Sequence, residues 1–139
     1  CRSKKGHRKL GLPQDSRDAF DPLRQAGIIA APGLVALRTL VDRLADDHEN
    51  ARVFAEGVNA MEGLKVDLES VQSNIVNLDV SGLNMDAAAF TSHLDPRGIR
   101  GLPGLGSVVR FVTYRGISSE DIQRSLQVIG EMVAEAPWA

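Results

Sequence analysis

At 139 residues and 15.0 kDa, with 43% hydrophobic and 24% charged residues, the chain has room for one domain with a real core. This composition excludes wholesale disorder and a collagen-like repeat, and no apolar run approaches the ~18 residues a spanning helix needs. The single cysteine, Cys1, excludes an internal disulfide and a cysteine-rich zinc site, and a formal charge of −2 gives no bulk attraction to nucleic acid.

Charge is unevenly distributed. Residues 1–24 carry seven Lys/Arg against three Asp/Glu, and the remaining 115 carry nine against fifteen. The basic start is followed by no apolar segment, so it does not read as a secretory signal. A first residue that is Cys and not Met implies a processed chain or a piece of a longer one. Gly6, Gly11, Pro13, Asp15, Ser16, Asp21 and Pro22 punctuate the stretch, which reads as loop up to about residue 27.

Residues 33–61 read as one long helix. Leu34, Leu37, Leu40, Val41 and Leu44 form an apolar stripe that Ala51, Phe54, Ala55, Val58 and Met61 resume. The polar run Asp46-Asp47-His48-Glu49-Asn50 reads as an exposed turn of the same helix. Pro32 suits its first turn and Gly63 its end. Arg38–Asp42, Arg43–Asp47 and Arg52–Glu56 have the spacing of pairs across one turn.

The period then changes. Leu64, Val66 and Leu68 alternate, and Ile75–Val80 is a clear strand closed by Ser81-Gly82. A short helix follows over 85–94, stopped by Asp95-Pro96, with Ile99 at the start of a possible short strand. GLPGLG at 101–106 reads as a turn. Val108–Tyr114 is the second clear strand. Ser118 and Asp121, in capping-box spacing, open a terminal helix with Ile122, Leu126, Ile129 and Val133 on its buried stripe, ended by Pro137. Helices alternating with strands predict an α/β fold of α+β-like character, with helices on one face of a small sheet. Its expected core is Leu37, Leu44, Val58, Ile75, Leu78, Phe111, Ile122, Leu126 and Ile129.

Most candidate chemistry is absent. His7, His48 and His93 are far apart and form no metal-ligand spacing. There is no G-x-S-x-G. The glycine-rich segment leads into a strand, whereas a phosphate loop leads into a helix. The basic run Arg2, Lys4, Lys5, His7, Arg8, Lys9 has no interleaved aromatic for base stacking and reads as a solvated tail. Arg110 differs, because it interrupts an otherwise apolar strand, VVRFVTY. By alternation it shares a face with Val108 and Val112, while Val109, Phe111 and Thr113 take the other. A guanidinium on a rigid strand is either one half of a structural ion pair, a solvated edge group or a fork that grips a carboxylate.

Leu23-Arg24-Gln25-Ala26-Gly27-Ile28-Ile29-Ala30-Ala31, followed by Gly33-Leu34-Val35-Ala36-Leu37, resembles the stretch after the cofactor lysine in low-specificity threonine aldolases. These are fold-type-I lyases dependent on pyridoxal 5′-phosphate. The likeness continues in order through VDRLADDHENARVFAEGV, VQSNIVNLDV and VVRFVTYRGISSEDIQRSL, over about residues 24–135. It implies that residues 1–27 are an irregular basic segment like the end of the large cofactor domain. Residues 28–139 would be the linking helix and the C-terminal small domain, with the large domain outside this chain. It also assigns roles. Arg110 would bind the substrate carboxylate, Arg24 would lie near the cofactor phosphate, and Lys4, in Cys1-Arg2-Ser3-Lys4, would be the Schiff-base lysine. Lys5 stands where the family has glycine, GLPQDSRDAFDP where it has a glycine triplet and Met, and Tyr114 where it has His.

The activity implied is cleavage of threonine, allo-threonine or other β-hydroxy amino acids to glycine and an aldehyde. The resemblance further implies no nucleic-acid or membrane partner, a homo-oligomer at full length, and a cytoplasmic location with a mitochondrial one left open. The 139-residue chain alone is expected to be inactive. The altered segment before Arg24 supports an alternative, a truncated or degenerate relative that serves only as a small interaction or dimerisation domain.

Overall fold

The computed structural model describes residues 26–135. The chain divides into two compact units, residues 1–41 and 42–139. In the first, helix α1 runs Ala26–Thr39 and buries none of its residues. Pro32 lies inside this helix and not at its start. It supplies no N–H to the carbonyl one turn earlier, and the turns on either side carry the helix past it.

The second unit opens with α2, Leu44–Asn59. The single helix expected over 33–61 is therefore two helices. The break falls at residues 40–43, and the DDHEN run lies within α2. Asp46, His48 and Glu49 of that run are exposed as expected, but Asp47 is buried and takes a 3.1 Å ion pair from Arg43 Nη1. Arg52 and Glu56 also pair across one turn, at 3.0 Å. The expected Arg38–Asp42 pair loses its helical spacing, because α1 stops at Thr39. Ala51, Phe54, Ala55 and Val58 follow the helical period and form the buried face of α2.

Strand β1 is Lys65–Val66, docked by a 2.9 Å bond from the Val66 N–H to Asn59 Oδ1 at the end of α2. Leu68, expected to continue the alternation, instead begins a short 3-10 turn, Leu68–Ser70. Strand β2 is Ile75–Asp79. Helix α3, Ala87–Leu94, is capped by Asp86, whose carboxylate accepts from the Ala89 N–H at 2.7 Å. Of the glycine-rich segment expected to be a turn throughout, Leu102–Pro103 forms strand β3, and only the part after it turns. Ile99 lies ahead of that strand, half-buried against the core. Strand β4 is Val108–Val112. Helix α4, Ser119–Ala134, begins with the expected capping box between Ser118 and Asp121. Lys4, Arg24, the basic run 2–9 and Pro137 lie outside the described residues.

The strands form one antiparallel sheet in the order β1-β2-β4-β3. Val66, Val76, Leu78, Val109 and Phe111 line its buried face, against which α2 and α3 pack, with α4 packed on α2. Phe54 of α2 meets Phe111 of β4 with ring centroids 5.1 Å apart. Helices on one side of an antiparallel sheet give the α+β-like arrangement the patterning implied. Val58, Leu78, Phe111, Ile122 and Ile129 are buried as expected, and Leu126 is half-buried against the core.

Three expected core residues are not buried: Leu37 is 70% exposed, Leu44 50% and Ile75 38%. The first two were phased along one continuous helix that does not exist. Ile75 is out of step with Leu78, since residues three apart in a strand face opposite ways. Phe90, Leu94 and Met132, absent from the expected set, complete the core.

Candidate functional site

The uncovered face of the sheet carries Arg110. The register places Arg110 directly opposite Asn77 of β2 on one side and Leu102 of β3 on the other. Directly opposed residues share a face, so these three side chains project together. Arg110 Nε donates to Asn77 Oδ1 at 3.3 Å. Both residues line an open hollow of about 560 Å³ whose remaining walls are Leu102, Pro103, Gly104, Leu105 and Val108. The hollow is thus apolar except for one guanidinium and one amide. Among the described residues Arg110 forms no ion pair. Of the three possibilities its strand left open, internal pairing is therefore not the one adopted.

The rim is held by Asp79 at the end of β2. Its Oδ1 accepts from the Ser107 hydroxyl at 2.7 Å and from the Ser81 N–H at 2.9 Å. These bonds to the ionised form hold its carboxyl below the usual carboxylate range, the Ser81 amide most strongly, with Ser107 next. The turn between β3 and β4 is pinned further by Val80 N–H to Ser107 O and Ala87 N–H to Gly106 O, both 3.0 Å. At Gly104 a Cβ would sit 2.8 Å from the Val108 carbonyl oxygen, so this wall of the hollow requires glycine.

On the opposite face, Thr113 is buried and donates to the Asp47 carbonyl, away from Arg110. Tyr114 is 58% exposed. His48 and His93 are exposed on different helices, and among the described residues no cluster of His, Cys, Asp or Glu could hold a metal. No helix among them is long and apolar enough to cross a membrane.

Asn77 went unnoticed in the sequence. Its signal was its polarity within IVNLDV, at the position that antiparallel pairing sets opposite the one arginine of the other strand. Arg110 and Asn77 together supply donors suited to a carboxylate. The described residues include one lysine, Lys65, on the outer strand β1 opposite Asp79 and not at the hollow. The described residues thus present donors that could hold a carboxylate, and no lysine among them lines the hollow.

Residues 18–81 match the beta-eliminating lyase family. The chain is 32% identical over 105 residues to low-specificity L-threonine aldolase 1 of Arabidopsis thaliana, covering 75% of this chain and 29% of that protein. It is 35% identical over 102 residues to the probable low-specificity L-threonine aldolase 2 of the same plant, with 73% and 29% covered. With the low specificity L-threonine aldolase of Escherichia coli (strain K12) it shares 33% identity over 100 residues, 72% of this chain and 28% of that one. The resemblance read from the sequence is borne out as homology over about three quarters of the chain, which spans under a third of the length of these relatives.

Proposed function

We propose that this chain is the substrate-carboxylate half of a pyridoxal 5′-phosphate-dependent lyase that cleaves threonine, allo-threonine or related β-hydroxy amino acids to glycine and an aldehyde. One observation carries the reading: Arg110 stands on a strand, beside Asn77 in a hollow with apolar walls, without a carboxylate partner among the described residues. Homology to the threonine aldolases supports the reaction class. In this reading residues 1–27 belong with the cofactor domain, where Lys4 would carry the cofactor and Arg24 would hold its phosphate. Residues 28–139 form the linking helix and small domain. The complete protein would be a cytoplasmic or mitochondrial homo-oligomer.

The cofactor, when bound, takes up the electron pair released as the Cα–Cβ bond breaks. The chain's own contribution is orientation. A guanidinium that grips both carboxylate oxygens fixes rotation about the bond joining the carboxylate to Cα. That sets which substituent on Cα stands in the position to be cleaved. The walls Leu102, Leu105 and Val108 are apolar and offer the substrate no side-chain hydrogen bond that competes with the clamp. Arg110 moves no proton in this scheme.

The test uses the product of the complete reading frame containing these 139 residues. Supplied with pyridoxal 5′-phosphate and L-threonine, it releases glycine and acetaldehyde, with an absorbance band of cofactor bound to a lysine. Lys4→Ala removes that band. Absence of aldehyde release, or release without cofactor, overturns the reading.

A second reading, a non-catalytic interaction domain, has its own observation. The open sheet face exposes Ile75, Leu102, Leu105, Val108 and Val112 around Arg110. It requires self-association that survives cofactor removal and is lost in Val112→Lys, and sedimentation measures both.

A further inference from the structure

An arginine carries five N–H donors in a fixed planar fork, and a carboxylate can dock on it end-on, between Nη1 and Nη2, or side-on, between Nε and one Nη. Here the side-on edge is partly taken. The Nε–H of Arg110 is donated to Asn77 Oδ1 at 3.3 Å, and neither Nη has a partner among the described residues. The pairing is built into the backbone, because Asn77 and Arg110 are direct cross-strand partners in the middle of the five-residue β2–β4 ladder. An aspartate at the same place would satisfy the same N–H. It would also cancel the guanidinium's charge and compete with any incoming carboxylate.

We propose that Asn77 is the positioning residue for Arg110: its amide oxygen holds the Nε–H, leaves the charge uncancelled, and directs a ligand carboxylate to the Nη1/Nη2 edge. This rests on the reading of Arg110 as a carboxylate clamp. The ligand class is an α-amino acid entering with its carboxylate toward β4. The apolar rim of Leu102, Leu105 and Val108 strengthens the preference for a single anionic group, since it offers a ligand no other hydrogen-bonding side chain. Asn77 is exposed, so replacing it removes no core packing.

The experiment is side-chain NMR on the 139-residue chain, following the Arg110 Nε–H resonance during titration with L-threonine and, in parallel, with L-threoninol, which lacks the carboxylate. The wild type should respond to threonine and not to threoninol. Asn77→Leu should speed exchange of the Arg110 Nε–H with water and weaken threonine binding. Asn77→Asp should keep the Nε–H protected yet weaken threonine binding about tenfold or more, the scale of a charge-assisted hydrogen bond. That split between protection and binding is one a merely structural residue would not produce. Threonine binding unchanged in Asn77→Asp, or Nε–H exchange unchanged in Asn77→Leu, overturns the proposal. Arg110→Lys separates the two levels. If it binds threonine as the wild type does, or if the wild type does not distinguish threonine from threoninol, the clamp reading itself fails. If Arg110→Lys loses binding while both Asn77 variants retain it, the clamp stands and Asn77 has no part in it.

Discussion

Thr113 Oγ1 donates a 2.6 Å hydrogen bond to the backbone carbonyl of Asp47, joining the end of β4 to the first turn of α2. Around it, Asn74 Nδ2 donates to Thr113 O at 2.6 Å and the Thr113 N–H to Asn74 O at 3.0 Å. Arg43 Nη2 and Asn50 Nδ2 reach the carbonyls of Arg115 and Ile117 at 3.0 and 3.1 Å. The polar stretch that interrupts the apolar stripe is thus a latch onto the loop after β4. Thr113→Val keeps the shape and removes the hydroxyl, and should cost about 1–2 kcal/mol in urea unfolding. A loss below ~0.5 kcal/mol would show that the bond contributes little.

Gly57 of α2 packs against Leu126 of α4. A Cβ on Gly57 would lie 2.6 Å from both Leu126 methyl groups. Gly57→Ala should therefore destabilise by about 1 kcal/mol or more, because repositioning Leu126 outweighs the helical preference for alanine. Leu126→Ala should cost about 1–2 kcal/mol, below the ~2–5 kcal/mol of a fully buried leucine, since this one is half-buried. The double variant should be more stable than the two single losses imply, and a double-mutant cycle measures that coupling. Strict additivity would place the two side chains apart.

Asp79 and Asp121 both titrate below the ordinary carboxylate range, and the sign of the pH effect follows. Asp121 is lowered chiefly by the Ser118 backbone N–H, then by its hydroxyl. Asp79 is lowered by Ser81 and then Ser107. A depressed folded value contributes stability that is complete above the unfolded pKa of about 4 and is lost as pH falls through the folded value. Urea midpoints should hold from pH 7 to about 5 and then fall below about 4. Asp79→Asn should flatten part of that decline. Ser118→Ala should cost about 1 kcal/mol at pH 7 through loss of the cap, and should also reduce the acid dependence. An identical acid slope in both variants would remove these carboxylates as its source.

Arg110→Lys keeps the charge and loses the fork. In the product of the complete reading frame it should lower kcat/KM for threonine by roughly 1.5–3 kcal/mol, the worth of a hydrogen bond to a charged group, and leave cofactor binding nearly unchanged. Full activity with loss of cofactor would assign Arg110 to the phosphate.

The 139-residue chain alone should not release acetaldehyde from threonine at a useful rate. Its described residues offer Arg110 in an open hollow, and the matched stretch covers under a third of the aldolases it resembles. Cofactor-dependent release by the purified chain would refute this.

Local signals in the sequence carried the elements of the 42–139 unit well. Alternation found β2 and β4 because a half-covered sheet demands it, and Ser118 with Asp121 marked the start of α4 because a helix N-terminus needs those acceptors. The parity that put Arg110 with Val108 and Val112 was also correct. What alternation cannot give is which face is covered, and that depends on where the helices land. The face of Arg110 proved open, so its partner is a neighbouring amide and not a buried acid.

By itself, then, the sequence determined the periods, the caps, the arginine on its strand and the kinship with the aldolases, all of which are written over a few residues or in linear order. Only the tertiary structure decided the rest. It split the long helix at 40–43, buried Asp47 and tied Asp47 and Asn50 to residues 113 and 117, and turned Leu102–Pro103 into an edge strand. It also set Asn77 against Arg110. The Asp47, Asn50 and Asn77 contacts depend on pairing between segments tens of residues apart, where the energy comes from hydrogen bonds and burial between segments, and no local pattern of residues records which segments will meet.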